Sequence, residues 1–154
     1  MGIEPIRYFI IDTNALSYLS EKRRNCGYFT KNCFIPEVVL DEAKGFPDFT
    51  KLTSRKIPVN ANILSFVCEI MNQVNHKDSS LVNLYKNQGA ADPFVIATAL
   101  YQRELQNEQL VLLPIEWVIV SDDKAVNRTA SIFNFPCISA KELAEIIDSQ
   151  LGEH

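Results

Sequence analysis

The chain contains 154 residues, 47% of them hydrophobic and 22% charged, which fits one globular domain over residues 1–154 and argues against intrinsic disorder. Its formal net charge of −4 excludes a protein that binds nucleic acid through bulk positive charge. Any contact to phosphate groups would have to come from a local basic patch.

No stretch approaches the roughly 20 apolar residues that a transmembrane helix needs. The first residues contain Glu4 and a short apolar run that ends at Asp12, a pattern that is not typical of a signal peptide. We therefore expect a cytoplasmic protein whose cysteines are reduced and mostly buried.

Short apolar runs, which predict buried strands, alternate along the chain with segments of helical periodicity. Pro36 is well placed to open a helix, and Gly45 to end it. We predict strands over residues 7–12, 33–35, 115–120 and 136–138, helices over 14–21, 37–44, 63–74, 81–85, 89–100, 124–133 and 143–151, and an irregular stretch over 46–58.

This alternation predicts an α/β fold, with a mostly parallel sheet that carries helices on both faces. In such sheets ligands bind beyond the carboxyl ends of the strands. Asp12 follows the first predicted strand, and Asp122 and Asp123 follow the strand over residues 115–120. The sequence thus delivers carboxylates to the edge where a site is expected.

Each acid taken alone has a structural explanation. Asp12 could cap the helix that follows it, and Asp92 precedes Pro93, a common helix start. The helix after the strand over residues 115–120 could be capped by Ser121, Asp122 or Asp123. Glu42 could be a solvated residue on a helix surface.

As a set, these acids require charge compensation if they converge. Two like charges about 4 Å apart repel by on the order of 4 kcal/mol at an effective dielectric near 20. A hard divalent cation such as Mg²⁺ or Mn²⁺ prefers oxygen ligands and would neutralise them. Water bound to such a cation becomes a nucleophile, and a phosphodiester is the natural substrate for it.

Four blocks in order, and a fifth at the end, resemble the PIN-domain nuclease family, including its VapC-like toxin ribonucleases. The blocks are IIDTN over residues 10–14, IPEVVLDE over 35–42, GAADPFVIA over 89–97, VSDDKAV over 120–126 and FPCISAKEL over 135–143. The resemblance implies a three-layer PIN-like fold and a metal-dependent ribonuclease with Mg²⁺ or Mn²⁺ as cofactor. It also implies the toxin of a toxin–antitoxin pair, with RNA as substrate, a small antitoxin as partner and a homodimer as a common assembly.

Carried over residue by residue, the resemblance assigns catalysis to Asp12, Glu42, Asp92 and Asp123, of which Asp12, Asp92 and Asp123 would hold metal. It assigns supporting roles to Thr13, Asn14, Ser121 and Asp122, with the Thr13 and Ser121 hydroxyls orienting carboxylates. Ser121 replaces a commoner threonine. Ala90 stands where some members carry a further acid, so the number of bound metal ions, one or two, stays open. The spacing to Ser121 favours Asp123 over Asp122 as the inward acid.

Basic residues outside these blocks are candidates for contacts to the RNA backbone, although each alone is more typical of a solvated surface. They are Arg23, Arg24, Lys44 and Arg55.

Two alternatives belong to other functional classes. A non-catalytic PIN-like module would bind RNA or protein and would not bind a metal strongly. A phosphatase of the haloacid dehalogenase type wants a second aspartate two residues after its nucleophile, and here Asn14 occupies that place after Asp12.

Overall fold

A parallel five-stranded sheet forms the centre of the protein, in a computed structural model that describes residues 4–74, 91–109 and 114–151, with residues 74, 91 and 92 described by their backbone alone. The strands are β1 (Ile6–Ile11), β2 (Cys33–Pro36), β3 (Lys56–Ile57), β4 (Ile115–Val120) and β5 (Cys137–Ile138). They stand in the order β3-β2-β1-β4-β5, and all neighbouring pairs are parallel. The prediction of an α/β fold with a mostly parallel sheet is confirmed.

Helices cover both faces of this sheet and give the molecule three layers. The helices are α1 (Thr13–Tyr18), α2 (Glu21–Arg24), α3 (Gly27–Asn32), α4 (Glu37–Glu42), α5 (Phe49–Leu52), α6 (Ala61–Val74), α7 (Ala91–Glu108), α8 (Lys124–Ile132) and α9 (Ala140–Leu151). In one layer α1, α2 and α3 contact α9, and in the other α7 contacts α6 and α8. None of the helices in these ranges combines the length and the apolarity that crossing a bilayer requires.

The centre of the sheet is fully buried, as continuous apolar strands predict. Phe9, Ile10 and Ile11 of β1 and Ile119 and Val120 of β4 have no exposed surface. β1 is paired on both sides, by β2 and by β4, so the residue that follows it stands in the middle of the sheet edge.

Four predicted strands and the helices α6, α8 and α9 are confirmed to within a few residues, and α7 runs longer than expected. The predicted helix over residues 14–21 is divided into α1 and α2, because Leu19 and Ser20 adopt extended conformations. The side chain of Ser20 caps α2 by accepting from the Arg23 N–H. The predicted helix over residues 81–85 lies outside the described residues.

The prediction of an irregular stretch over residues 46–58 was wrong. This stretch contains α5, a 3₁₀ turn over Thr53–Arg55 and β3, whose two residues pair with Ile35 and Pro36 of β2. Elements of two to four residues are too short to show a period. No sequence signal marks α3 either, whose six residues make fewer than two helical turns.

The four cysteines are free thiols, as predicted, but only Cys26 and Cys33 are buried. Cys137 is half-buried and Cys68 is exposed. Burial strongly raises the pKa of the Cys33 thiol, which keeps that thiol in its neutral form.

A buried ion pair between Arg24 and Asp48 joins α2 to the segment that follows α4. The guanidinium donates from Nε and Nη2 to both carboxylate oxygens, at 2.9 and 2.8 Å. Its Nη1 donates to the Leu19 carbonyl at the end of α1, at 2.7 Å, and the group stacks on Phe46. The arginine thus ties three segments together and satisfies a helix-terminal carbonyl.

We predict that Arg24→Met lowers the free energy of unfolding by about 3–5 kcal/mol, because it leaves the Asp48 carboxylate buried without its partner. Denaturant-induced unfolding measures this change. The matched control is Arg23→Met, which breaks the exposed pair of Arg23 with Asp148. An exposed pair contributes little, so similar losses in the two variants would contradict the prediction.

Candidate active site

Asp12 and Ser121 lie side by side at the carboxyl edge of the sheet. β1 and β4 pair in register from Ile6 with Ile115 to Ile11 with Val120, so the next residue on each strand is Asp12 or Ser121. The Asp12 N–H donates to the Val120 carbonyl at 3.2 Å. From here the chain leaves β1 towards β2 and leaves β4 towards β5, on opposite sides, which makes this a topological switch point, the usual place for a site in an open α/β sheet.

The Asp12 carboxylate is buried, with 3% of the residue exposed. Its Oδ1 accepts from the Ala15 N–H at 2.8 Å and caps α1, and the Ser121 hydroxyl is its side-chain hydrogen-bond partner. Burial raises the pKa of Asp12 above its ordinary value, and the charges of Asp122 and Asp123 raise it further against the opposing hydrogen bonds. The side chains that act most on this pKa, those of Ser121, Asp122 and Asp123, are neutral or acidic. Asp12 therefore combines a capping role with a carboxylate whose ionisation is opposed by burial and by like charge.

The turn after β4 holds its two acids through different hydrogen bonds. The Ser121 Oγ accepts from the Asp123 N–H at 3.0 Å, and Asp123 Oδ1 accepts from the first N–H groups of α8 at 2.8 and 3.0 Å. Asp122 is exposed, and its Oδ2 accepts from the Ala140 N–H of α9 at 3.4 Å. Both acids directly follow Ser121 in the chain, and the charge of each raises the pKa of Asp12.

The other predicted acids belong to different elements. Asp92 is the second residue of α7, and its side chain lies outside the described residues. Glu42 is the last residue of α4 and is exposed. Their metal-binding and catalytic roles stay predictions.

Two supporting residues are at the start of α1. Asn14 is exposed there. The Thr13 Oγ1 is buried and makes no hydrogen bond, so it does not orient a carboxylate in this structure.

Asn127 of α8 belongs to this site, and the sequence did not single it out. Its Nδ2 donates to the Ser121 carbonyl at 3.1 Å, and its Oδ1 is buried without a hydrogen-bond partner. The available signal was its position four residues after Asp123, one helical turn from a residue that caps the helix. Asparagine in a helix does not by itself indicate this role.

The predicted RNA-contacting residues differ in how free their charges are. Arg24 is buried in its pair with Asp48, which leaves no free face for a phosphate. Arg23 makes a two-point pair with Asp148, at 3.0 and 2.8 Å. Arg55 donates to the Cys33 carbonyl and stacks on Phe34. Lys44 is exposed.

The chemistry of this donor set fits Mg²⁺ or Mn²⁺. Carboxylate and hydroxyl oxygens are the ligands that these hard cations prefer, and an adjacent cation would offset the cost of ionising buried Asp12. Among the side chains that the structure describes, no three histidine, cysteine or acidic residues form a metal-binding group. Asp92, whose side chain is not among them, would have to complete the set.

Comparisons with known proteins bear on the fold. No protein-family model and no curated protein matches the sequence. The crystal structure of FitAcB from Neisseria gonorrhoeae is similar to this chain, with a TM-score of 0.53 at 11% identity over 86% of this chain and 97% of that chain. The fold is a PIN-like three-layer α/β fold. At this identity the likeness concerns the fold alone.

We predict that Asp12→Asn raises the free energy of unfolding at pH 7 when divalent metal is removed with a chelator. The amide keeps the oxygen that caps α1 but removes a buried charge near two other acids. Because the folded-state pKa of Asp12 is raised, its ionisation costs stability above that pKa, and the advantage of the variant shrinks as pH falls through it.

Asp48→Asn is the matched control, since Asp48 is equally buried, with 3% exposed. Its Arg24 partner lowers the pKa of Asp48, so that carboxylate contributes stability at neutral pH that is lost as pH falls through the folded-state pKa. Denaturant titrations between pH 4 and 7 should therefore show opposite signs for the two substitutions. A wild type more stable than Asp12→Asn at pH 7 without metal would refute the first prediction.

Proposed function

We propose that this protein is a metal-dependent ribonuclease that hydrolyses RNA phosphodiester bonds. Asp12, Asp92 and Asp123 hold one or two Mg²⁺ or Mn²⁺ ions, and Glu42 acts with them. The observation that carries the proposal is the buried Asp12 carboxylate at the switch point, where burial and the charges of Asp122 and Asp123 raise its pKa. A buried acid with a perturbed pKa in this place is typical of a functional group rather than a structural one.

When bound, the cation supplies an activated water and stabilises the charge that develops on the phosphate. The chain's own residues orient the ligands. The Ala15 N–H and the Ser121 hydroxyl hold the Asp12 carboxylate in one position. The Ser121 Oγ also fixes the backbone of Asp123, whose Oδ1 is held by the N-terminus of α8. Side chains fixed in this way lose little entropy when a ligand binds.

For RNA contacts we propose Lys44, which is exposed, with Arg23 able to exchange its exposed carboxylate partner for a phosphate. Such contacts make affinity fall with salt and carry no base specificity. Arg55 is left out because its guanidinium donates to the Cys33 carbonyl, at the amino end of β2 and away from the carboxyl edge that holds Asp12. Arg24 is left out of this set because its guanidinium is buried with Asp48.

The biological role that the sequence resemblance favours is the toxin of a toxin–antitoxin pair, acting in the cytoplasm, with a small antitoxin as partner and a homodimer as the assembly. The PIN-like fold shared with FitAcB is in agreement with that class. Growth arrest on expression of the wild type, absent with Asp92→Asn, tests the role in cells.

We predict that Asp12→Asn and Asp92→Asn each lower cleavage of short labelled RNA in Mn²⁺ by about 100-fold or more, because transition-state stabilisation by a metal is worth several kcal/mol. Asp41→Asn is the matched control: it removes an exposed acid beside Glu42 on α4 and should leave the rate unchanged. Equal cleavage by wild type and Asp92→Asn would identify a contaminating nuclease and refute the assignment.

A second candidate is a non-catalytic PIN-like module that binds RNA or protein. It is favoured by the use of Asp12 and Asp123 as helix caps and of Asp122 as an acceptor for α9, which gives each acid a structural purpose.

Titration calorimetry with Mn²⁺ separates the two candidates. The ribonuclease proposal predicts that the wild type binds Mn²⁺ and that Asp12→Asn and Asp92→Asn weaken binding by at least about tenfold. Asp41→Asn should bind as the wild type does. No binding by the wild type, or undiminished binding by the Asp12 and Asp92 variants, would favour the module.

A further inference from the structure

The two buried side-chain polar atoms without a hydrogen bond, among the described residues, both belong to the candidate active site. They are the Thr13 Oγ1, one residue after Asp12, and the Asn127 Oδ1, four residues after Asp123. Buried polar groups in native proteins are almost always paired, so an unpaired one calls for an explanation such as a bound water or ion. Two such atoms on the two chain segments that carry the acids point to a ligand here.

The orientation of the Asn127 amide follows from its neighbours. The Ser121 carbonyl can only accept, so the Asn127 nitrogen faces it, at 3.1 Å, and the oxygen is the unpaired atom. The Asn127 N–H also donates to the Asp123 carbonyl at 3.0 Å. Asn127 therefore binds the turn over residues 121–123 at both of its ends.

Ser121 is the centre of this arrangement. Its N–H donates to the Ile138 carbonyl at 3.0 Å, its Oγ accepts from the Asp123 N–H, and its hydroxyl pairs with Asp12. The Asn127 amide occupies the remaining backbone group, the carbonyl. Asn127 thus helps to hold the backbone of the residue whose hydroxyl acts on Asp12.

We propose that Asn127 is a positioning residue of the metal site, which holds the Ser121–Asp123 turn through its Nδ2 and accepts through its Oδ1 from water on a hydrated divalent cation. This inference rests on the function proposed above. A carbonyl oxygen needs a ligand that donates a proton, which an ionised phosphodiester oxygen cannot do. Mg²⁺ and its relatives usually retain several waters, whose O–H groups are suitable donors. Thr13 Oγ1 takes part in the same way.

The test compares Asn127→Leu with Asn32→Leu by Mn²⁺ calorimetry and by denaturant unfolding. Asn32 makes the same kind of bond, from its Nδ2 to the Arg7 carbonyl at 3.1 Å, but at the other end of β1. We expect similar losses of stability in both variants and a 10–100-fold weaker Mn²⁺ affinity only in Asn127→Leu, the range typical for residues that orient metal ligands. Thr13→Val keeps the side-chain shape and should weaken Mn²⁺ binding without loss of stability. This variant replaces Asn127→Leu in the test if Asn127→Leu does not fold.

Wild-type affinity in Asn127→Leu, or an equal loss in Asn32→Leu, would overturn this inference while leaving the ribonuclease proposal intact. No Mn²⁺ binding by the wild type would overturn both. The other source of an O–H donor is the ribose 2′-hydroxyl of the substrate. Suppose that, in an Asp92→Asn background, Asn127→Leu lowers the affinity for RNA and leaves the affinity for DNA of the same sequence unchanged. If Asn127→Leu alone also binds Mn²⁺ as the wild type does, the hydrated cation is the wrong ligand.

Discussion

The pairing of β1 with β4 is the constraint on which the candidate site depends. The six paired positions end at Ile11 and Val120, and that register alone brings Asp12 next to Ser121 across more than a hundred residues of chain. Residues 9–11 of β1 and 117–120 of β4 are buried on both faces, so the core holds this part of the pairing, and the polar residues beyond it do not. A slip of one residue would reverse every side chain on the strand and would carry the Asp12 carboxylate away from the Ser121 hydroxyl. The core therefore positions the polar edge.

Much of this arrangement can be predicted from the sequence, because long segments of regular periodicity and fully apolar runs are strong signals of helices and buried strands. The runs before Asp12 and before Ser121 predict buried parallel strands, and the carboxyl-edge rule then places the acids together. What the sequence does not contain is the polar network inside the turn. The Asn127 amide, the Ser121 carbonyl and the Asp123 backbone meet through tertiary geometry, and no period or spacing rule selects an asparagine in mid-helix for that purpose.

The basic residues illustrate a second limit. Arg23 and Arg24 are neighbours in sequence, but successive residues of a helix point about 100° apart. Arg23 therefore reaches out to Asp148 on α9, whereas Arg24 turns inward to Asp48. A run of basic residues predicts a surface that binds phosphate groups only if all of the side chains face solvent. The partner that buries Arg24 lies in the stretch over residues 46–58, where no long periodic pattern indicated structure.

Among the described residues, the unfavourable burial of charged and polar groups is concentrated at the carboxyl edge of the sheet, around Asp12 and the turn over residues 121–123. Burial and like charge oppose the ionisation of Asp12, while Thr13 and Asn127 bury polar atoms without partners. Elsewhere a buried ion is neutralised, as Asp48 is by Arg24. Local costs that accumulate at one sheet edge, while the rest of the chain satisfies the ordinary rules, are typical of a surface shaped for a ligand. A cation would offset the charge on Asp12, and its waters would supply hydrogen-bond donors for Asn127 and Thr13. A hydrated cation would therefore account for the buried carboxylate and for both unpaired oxygens.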